Sequence, residues 1–279
     1  MIDILDLGFM QRALAAGVLV GLLCSVVGVY VVLRGLSFIG AGISHASFAG
    51  VAIGLALGVS PVLSAVIFCV LVAWGIGYVA QRSQIREDTS VGIFFAATMA
   101  LGVLIIALLR EYQVDIFGYL FGSIVSVTPT DIVVTLVISA IVLGCIWIFY
   151  KDLLFVVFDS ETAEVTGLPA ERLYFMLLTL VALTIVVSIK VVGIILVQAL
   201  IVIPAAAAYQ LTEKFWKMMV ISAVFGVSSC LAGLFISDLL EVPPGSAIVL
   251  LATIIFGISA AVSPRRRAAR IAPNRPEQG

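Results

Sequence analysis

His45 is the only histidine in the chain, and it lies in an apolar stretch, Phe38–Leu57, that is long enough to cross a bilayer. Imidazole is the commonest protein ligand for first-row transition metals, and an ionisable group at membrane depth is costly to keep. A histidine in such a place points to a site on a substrate path. The alternative is a histidine that only hydrogen-bonds a neighbouring helix, and the residues alone leave both open. Arg34 marks the end of the preceding stretch, and His45 follows it by eleven residues. At 1.5 Å per residue that is about 16 Å, so the ring is expected near the middle of a hydrocarbon core roughly 30 Å thick.

The surroundings of His45 are small. Gly42, Ala46, Gly50, Gly54 and Gly58 recur at every fourth position, a smooth stripe against which another helix backbone can close. Ala41, His45 and Ala49 form the adjacent stripe, so the ring is expected at the edge of a tight helix contact and not in lipid. Packing alone accounts for the glycines. A second polar position inside an apolar run is Gln198, near the centre of Val191–Leu211, with Pro204 one to two turns later. Proline removes a backbone hydrogen bond and bends a helix, and a bend beside a polar side chain often lines a cavity. Gln198 and Pro204 are therefore pathway candidates, although Gln198 could equally bond across a helix interface.

Other chemistries are excluded. No G-x-x-x-x-G-K-[ST] loop occurs, so this chain hydrolyses no ATP through a Walker motif, and no H-E-x-x-H occurs. Ser44 and His45 are sequence neighbours, and on a helix such residues point about 100° apart, a poor nucleophile–base pair. Cys24, Cys69, Cys145 and Cys230 lie singly in apolar stretches and read as small buried hydrophobes.

The elements that must position these residues follow from composition. Of 279 residues 63% are hydrophobic and 11% charged, too few charges to clothe a soluble domain of this size. Lipid must be the solvent, and a net charge of −1 gives no nucleic-acid partner. Nine stretches are expected to span: Ala13–Leu33, Phe38–Leu57, Pro61–Gln81, Val91–Leu109, Asp131–Phe149, Leu173–Ile189, Val191–Leu211, Trp216–Ile236 and Ser246–Val262. Phe117–Val127 is apolar but too short to span, and is expected to be re-entrant or interfacial. The expected fold is an all-α polytopic bundle of eight to nine spans, one domain over 1–263, with a structured loop at 151–172 and a disordered basic tail at 264–279. Met1–Met10 carries Asp3 and Asp6 and no basic residue, unlike a signal peptide, so the first apolar segment is expected to stay in the mature protein. The positive-inside rule puts the C-terminus in the cytoplasm, with Arg265, Arg266, Arg267, Arg270 and Arg275. Alternation then brings Arg34, Arg82, Arg86, Lys151, Arg172, Lys214 and Lys217 to the same side and leaves Arg12, Arg110 and Lys190 outside, together with the N-terminus.

The loop from Lys151 to Arg172 has helix grammar. Ser160 is a candidate N-cap, Glu161 and Glu164 suit the positive end of a helix, and Gly167 is a natural stop. Pro169 can open the next helix. Two short helices joined by a glycine turn are expected on the cytoplasmic face, either as an amphipathic connector or as a docking element for a cytoplasmic partner.

Leu36–Gly50 resembles the second-helix motif of permeases in ABC importers for zinc, manganese and iron. Arg86–Ile93, Gly118–Ser123, Phe158–Pro169, Val192–Ala205 and Pro243–Val249 resemble further motifs of that family, in order along the chain. The resemblance implies a permease in the bacterial inner membrane that pairs with a second permease copy. It implies cytoplasmic ATPase subunits as the motor and an extracytoplasmic metal-binding protein as the donor. The transported substrate would be a divalent transition metal, zinc or manganese first and iron third, with no permanently bound cofactor. On this reading His45 is the translocation-path ligand, and Asp159, Ser160, Glu161, Thr162, Ala163, Glu164, Gly167 and Leu168 couple the loop to the ATPase. One departure stands out: the family commonly reads Gly-Asp-x-x-Ser/Ala-His, and this chain has Ala41 where that aspartate stands. Asp115, Asp131, Asp238 and Glu241 all map to extracytoplasmic edges, as ordinary loop charges or as attractors of cations at a mouth. An ion-gradient-driven secondary metal carrier is the competing reading, but such carriers place several ionisable groups inside the membrane. A structural scaffold would leave the histidine and the capped loop idle.

Overall fold

The structure, a computed structural model, describes residues 8–83, 85–109 and 127–263. The segment 117–126, the Gly118–Ser123 motif, Asp115 and the basic tail lie outside the described residues. Within them the chain is helical: α1 (Gly8–Arg34), α2 (Ile39–Leu57), α3 (Pro61–Ser83), α4 (Glu87–Leu108), α5 (Pro129–Ile148), α6 (Tyr150–Phe158), α7 (Ser160–Val165), α8 (Ala170–Val192), α9 (Ile194–Leu211), α10 (Phe215–Leu240) and α11 (Pro244–Val262). In lipid a backbone must satisfy its own polar groups, and the helix does this within one segment. Nine of these helices, all but α6 and α7, are long and apolar enough to span.

α1 runs through the middle, against α8, α9 and α10, while α2 is clasped by α3 and α4. α1, α2 and α8 are the most buried spans, and α4 and α11 the least. The apolar side chains left exposed on α3, α4, α5 and α11 include Leu71, Leu104, Val137 and Leu250, a surface suited to hydrocarbon. The glycine stripe of α2 packs as its spacing predicts. A Cβ on Gly50 would stand 2.6 Å from Ala65 Cα of α3, and one on Gly42 would stand 2.8 Å from Val91 of α4. Gly58 differs, because it closes α2 in the left-handed region (φ 65°) and touches no other helix. The closest approach to a neighbouring backbone lies elsewhere: a Cβ on Gly28 of α1 would fall 1.8 Å from the Ile201 carbonyl of α9.

The two ends of the bundle are each tied by charge. At one end Arg34, the last residue of α1, meets Glu87, the first of α4, at 3.8 Å. The Tyr174 hydroxyl of α8 donates to the same carboxylate at 3.0 Å, and the Arg34 guanidinium lies over the Tyr174 ring and donates to the Val156 carbonyl of α6 at 3.4 Å. At the other end Lys190 of α8 pairs with Asp131 of α5. Asp131 also completes a capping box with Thr128, so it is occupied and offers no free carboxylate to a cation. Asp238 and Glu241 are exposed at that end. α8 and α9 are joined there by Gly193 alone (φ 83°, ψ 166°), backbone that only glycine adopts readily.

The loop departs from its sequence reading in three ways. Asp159, not Ser160, caps α7: the Thr162 N–H donates to Oδ1 at 2.9 Å and the Thr162 hydroxyl donates to Oδ2 at 2.5 Å. Aspartate outreaches serine here because Asp159 is already extended (ψ 93°), the conformation an N-cap requires. Glu164 is the fifth of six residues in α7, so it sits toward the negative end and not the positive one. The two short helices, α6 and α7, meet at Asp159, and the glycine turn instead joins α7 to the spanning helix α8. Gly167 (φ 87°) does stop α7: its N–H donates to the Glu164 carbonyl and the Leu168 N–H donates to the Ala163 carbonyl, the paired closure of a Schellman motif.

Candidate functional site

α2 begins at Ile39, because residues 35–38 turn the chain after α1. His45 is therefore six residues into α2, about 9 Å along a helix of roughly 28 Å. The ring sits nearer the Arg34 end than the mid-depth that a count from Arg34 predicts, since those four turn residues add little depth. It is half-buried, and its neighbours come from three helices. Nδ1 lies 3.0 Å from the Ala41 carbonyl one turn earlier on α2. The amide nitrogen of Gln198 on α9 lies 3.5 Å from the same nitrogen, and the ring of Phe95 on α4 meets the imidazole edge-on with centroids 4.6 Å apart. α2 and α9 approach closely here: a Cβ on Gly40 would stand 3.8 Å from Gln198 Cα.

The two contacts of Nδ1 favour different tautomers. The Ala41 carbonyl only accepts and suits Nδ1–H with a free lone pair on Nε2, whereas the Gln198 amide nitrogen only donates and suits the reverse. The Ala41 contact is the shorter, 3.0 Å against 3.5 Å, and favours the first. Orienting partners of this kind, carboxylate or backbone carbonyl, commonly hold ligand histidines with the other nitrogen turned toward an ion. The backbone of Ala41 supplies the hold that a carboxylate at the same position would supply by its side chain. What it cannot supply is negative charge. Among the described residues no three His, Cys, Asp or Glu side chains cluster to hold a metal.

The sequence-selected residues divide by position. Gln198 joins His45, though it is the fifth residue of α9 and not near its centre. Pro204 does not: it is buried, and six residues on it lies about 120° around the helix from Gln198. Ser44 is fully buried, turned into the helix contact and away from the ring. Phe95 was not marked in the sequence, where nothing separates it from the other apolar residues of α4. Only the meeting of α2 with α4 picks it out.

The α6–α7 loop is the second candidate surface. Asp159, Glu161, Thr162, Glu164 and Gly167 are exposed, Ser160 and Leu168 are half-buried, and Ala163 is fully buried. Ala163 is therefore an anchor beneath the surface and unavailable to a partner. Hydrogen bonds from Thr162 hold the Asp159 carboxyl below the usual carboxylate range. Two apolar side chains stand out among these polar ones, Phe158 at 65% and Val165 at 88% exposure. They lie off the membrane spans and are largely exposed, which suits contact with a second protein.

The family model described as the ABC 3 transport family matches residues 6–263. The manganese transport system membrane protein MntC of Halalkalibacterium halodurans is 40% identical over 264 residues, 95% of this chain and 90% of that one. The manganese import system permease protein ScaB of Streptococcus parasanguinis is 35% identical, covering 93% of this chain and 92% of its own. Among solved structures, a chain of PsaBC from Streptococcus pneumoniae in complex with Fab superposes with a TM-score of 0.86 at 37% identity, covering 96% of this chain and 97% of that one. A putative metal-chelate type ABC transporter in an inward-facing conformation matches with a TM-score of 0.70 at 14% identity, over 90% of this chain and 85% of its own, a likeness of fold.

Proposed function

Because this chain belongs to the ABC 3 transport family, we propose that it is the membrane-spanning permease subunit of an ATP-driven importer for a divalent transition metal. Manganese, the metal in the names of relatives at 35–40% identity, is the leading cargo, with zinc beside it and iron third. The observation that carries the reading is the state of His45: a half-buried ring whose Nδ1 is held by the Ala41 carbonyl, leaving Nε2 to meet a passing ion. Ligand histidines are commonly oriented by such a partner, which supports this role for His45. A single ligand per chain binds an ion weakly, as a conduit requires, and the ion passes between this copy and a second permease copy whose ligand completes the step.

Two cytoplasmic ATPase subunits drive the cycle and an extracytoplasmic binding protein delivers the metal. The Arg34 end faces the cytoplasm, which places α6 and α7 where an ATPase can reach them. There Phe158 and Val165 provide apolar contact, with Glu161 and Thr162 between them. Force applied to α7 passes into α6 and, through the Val156 carbonyl, to Arg34 and the foot of α4, the helix whose Phe95 rests on His45.

The test is His45→Ala in the complete transporter reconstituted with its ATPase and binding protein. Loss of ATP-dependent uptake of Mn2+ and Zn2+, with assembly intact, is the expected result. Unchanged uptake of both ions removes His45 from the path and overturns the proposal.

A further inference from the structure

We propose that the groove between α3 and α8 binds an anionic phospholipid of the cytoplasmic leaflet. The groove, of about 430 Å³, is lined by Trp74, Gly75 and Tyr78 of α3 and by Phe175 of α8. The Trp74 and Phe175 rings meet edge-on with centroids 6.2 Å apart, which holds the two walls together. The Trp74 indole N–H donates to the Thr179 hydroxyl at 2.8 Å, and that hydroxyl donates to the Phe175 carbonyl at 2.8 Å. The wall therefore asks for no water, and its rings suit an acyl chain.

Charge sets the direction of the occupant. Trp74 and Tyr78 belong to a stripe of α3 that reaches Arg82 in steps of four, and the Arg82 guanidinium lies 5.8 Å over the Tyr78 ring. On α8 the order repeats: Arg172 precedes Phe175 by three residues, on the same face. Both arginines are exposed, and among the described residues neither pairs with a carboxylate. Guanidinium groups take phosphate oxygens two at a time. Arg82 stands eight residues, about 12 Å, from Trp74, so the groove fits one leaflet of about 15 Å of hydrocarbon. That leaflet is on the Arg34 side, the cytoplasmic one by the basic-residue count. A second copy of the chain is a poorer occupant, because in the same membrane it brings the same arginines to the same depth. The other cleft at this end, between Trp147 and Trp216, sets Asp152 beside Lys151 and lacks a single sign of charge. The site stands apart from the role of His45.

The experiment reads Trp74 fluorescence in the full-length chain carrying Trp147→Phe and Trp216→Phe, both exposed positions, in phosphatidylcholine nanodiscs. Increasing fractions of brominated phosphatidylglycerol or brominated phosphatidylcholine are included, since bromine quenches an indole it touches. Phosphatidylglycerol is expected to reach half-maximal quenching at about fivefold lower mole fraction, the scale of one charge at a basic surface. Arg82→Gln with Arg172→Gln is expected to bring the two lipids level. Equal quenching with both arginines in place leaves only unselective boundary lipid and overturns the proposal. So does a lack of quenching by either lipid, because protein then covers the groove. A preference that survives both glutamine substitutions overturns it too, because the headgroup is then held elsewhere.

Discussion

Two polar regions of this protein are built on opposite plans. At the foot of the bundle Arg34, Glu87 and Tyr174 satisfy one another, and Arg34 reaches on to Val156. Eight residues up α4, about 12 Å away, Phe95 meets His45, whose polar contacts among the described residues are to uncharged groups and all at Nδ1. The first region spends hydrogen-bonding capacity on the fold and joins four helices. The second withholds capacity from the fold and so can bind. Partner number, more than polarity, separates a polar group that supports structure from one that serves transport.

The contrast can be broken by substitution. The largest effect is expected from His45→Ala, which should abolish transport while leaving thermal stability close to wild type, since the ring makes one firm hydrogen bond. Tyr174→Phe should do the reverse. Losing its hydroxyl costs about 1 kcal/mol and lowers the unfolding midpoint in detergent, while the Mn2+-to-Zn2+ binding ratio stays fixed. If Tyr174→Phe moved that ratio, the two regions would not be separable. Next in size is Val165→Asp, which should weaken ATPase-subunit binding about tenfold in a pull-down titration, the scale of one lost apolar contact, with the permease still folded. The smallest is at Asp159. Its carboxyl is held below the ordinary range by Thr162, so its contribution to α7 is complete above the unfolded value and is lost as pH falls through the lowered folded value. Protection of the Thr162 amide against hydrogen exchange, relative to a free peptide at the same pH, should therefore fall in Asp159→Ala at neutral pH, persist in Asp159→Asn, and fall in wild type only in acid below about pH 4.

What the residues disclosed in advance depended on range. The spans were legible because each is written in one continuous apolar run, and Gly167 because a helix stop is a local matter. Ser160 reads as a cap from its residue type, and Asp159 beside it is as good a capping residue; which of them caps α7 rests on a backbone torsion that sequence does not print. The depth of His45 was overestimated because residues 35–38 were counted as helix. Gln198 was noticed as polar in an apolar run, but its meeting with His45 joins positions 153 apart in the chain, and no periodicity encodes such a pairing. Phe158 and Val165 were invisible for the opposite reason: apolar residues are expected to be buried, and only the fold shows that these are not.

The one-residue link at Gly193 has a practical consequence for anyone who handles this protein. Two spanning helices share a pivot with no slack, so an epitope tag, protease site or fluorophore inserted there should disturb both legs at once. Replacing Gly193 with any bulkier residue should have the same reach, because the torsions it holds are closed to side chains. Labels are better carried elsewhere, and the hairpin of α8 and α9 is best treated as one indivisible part.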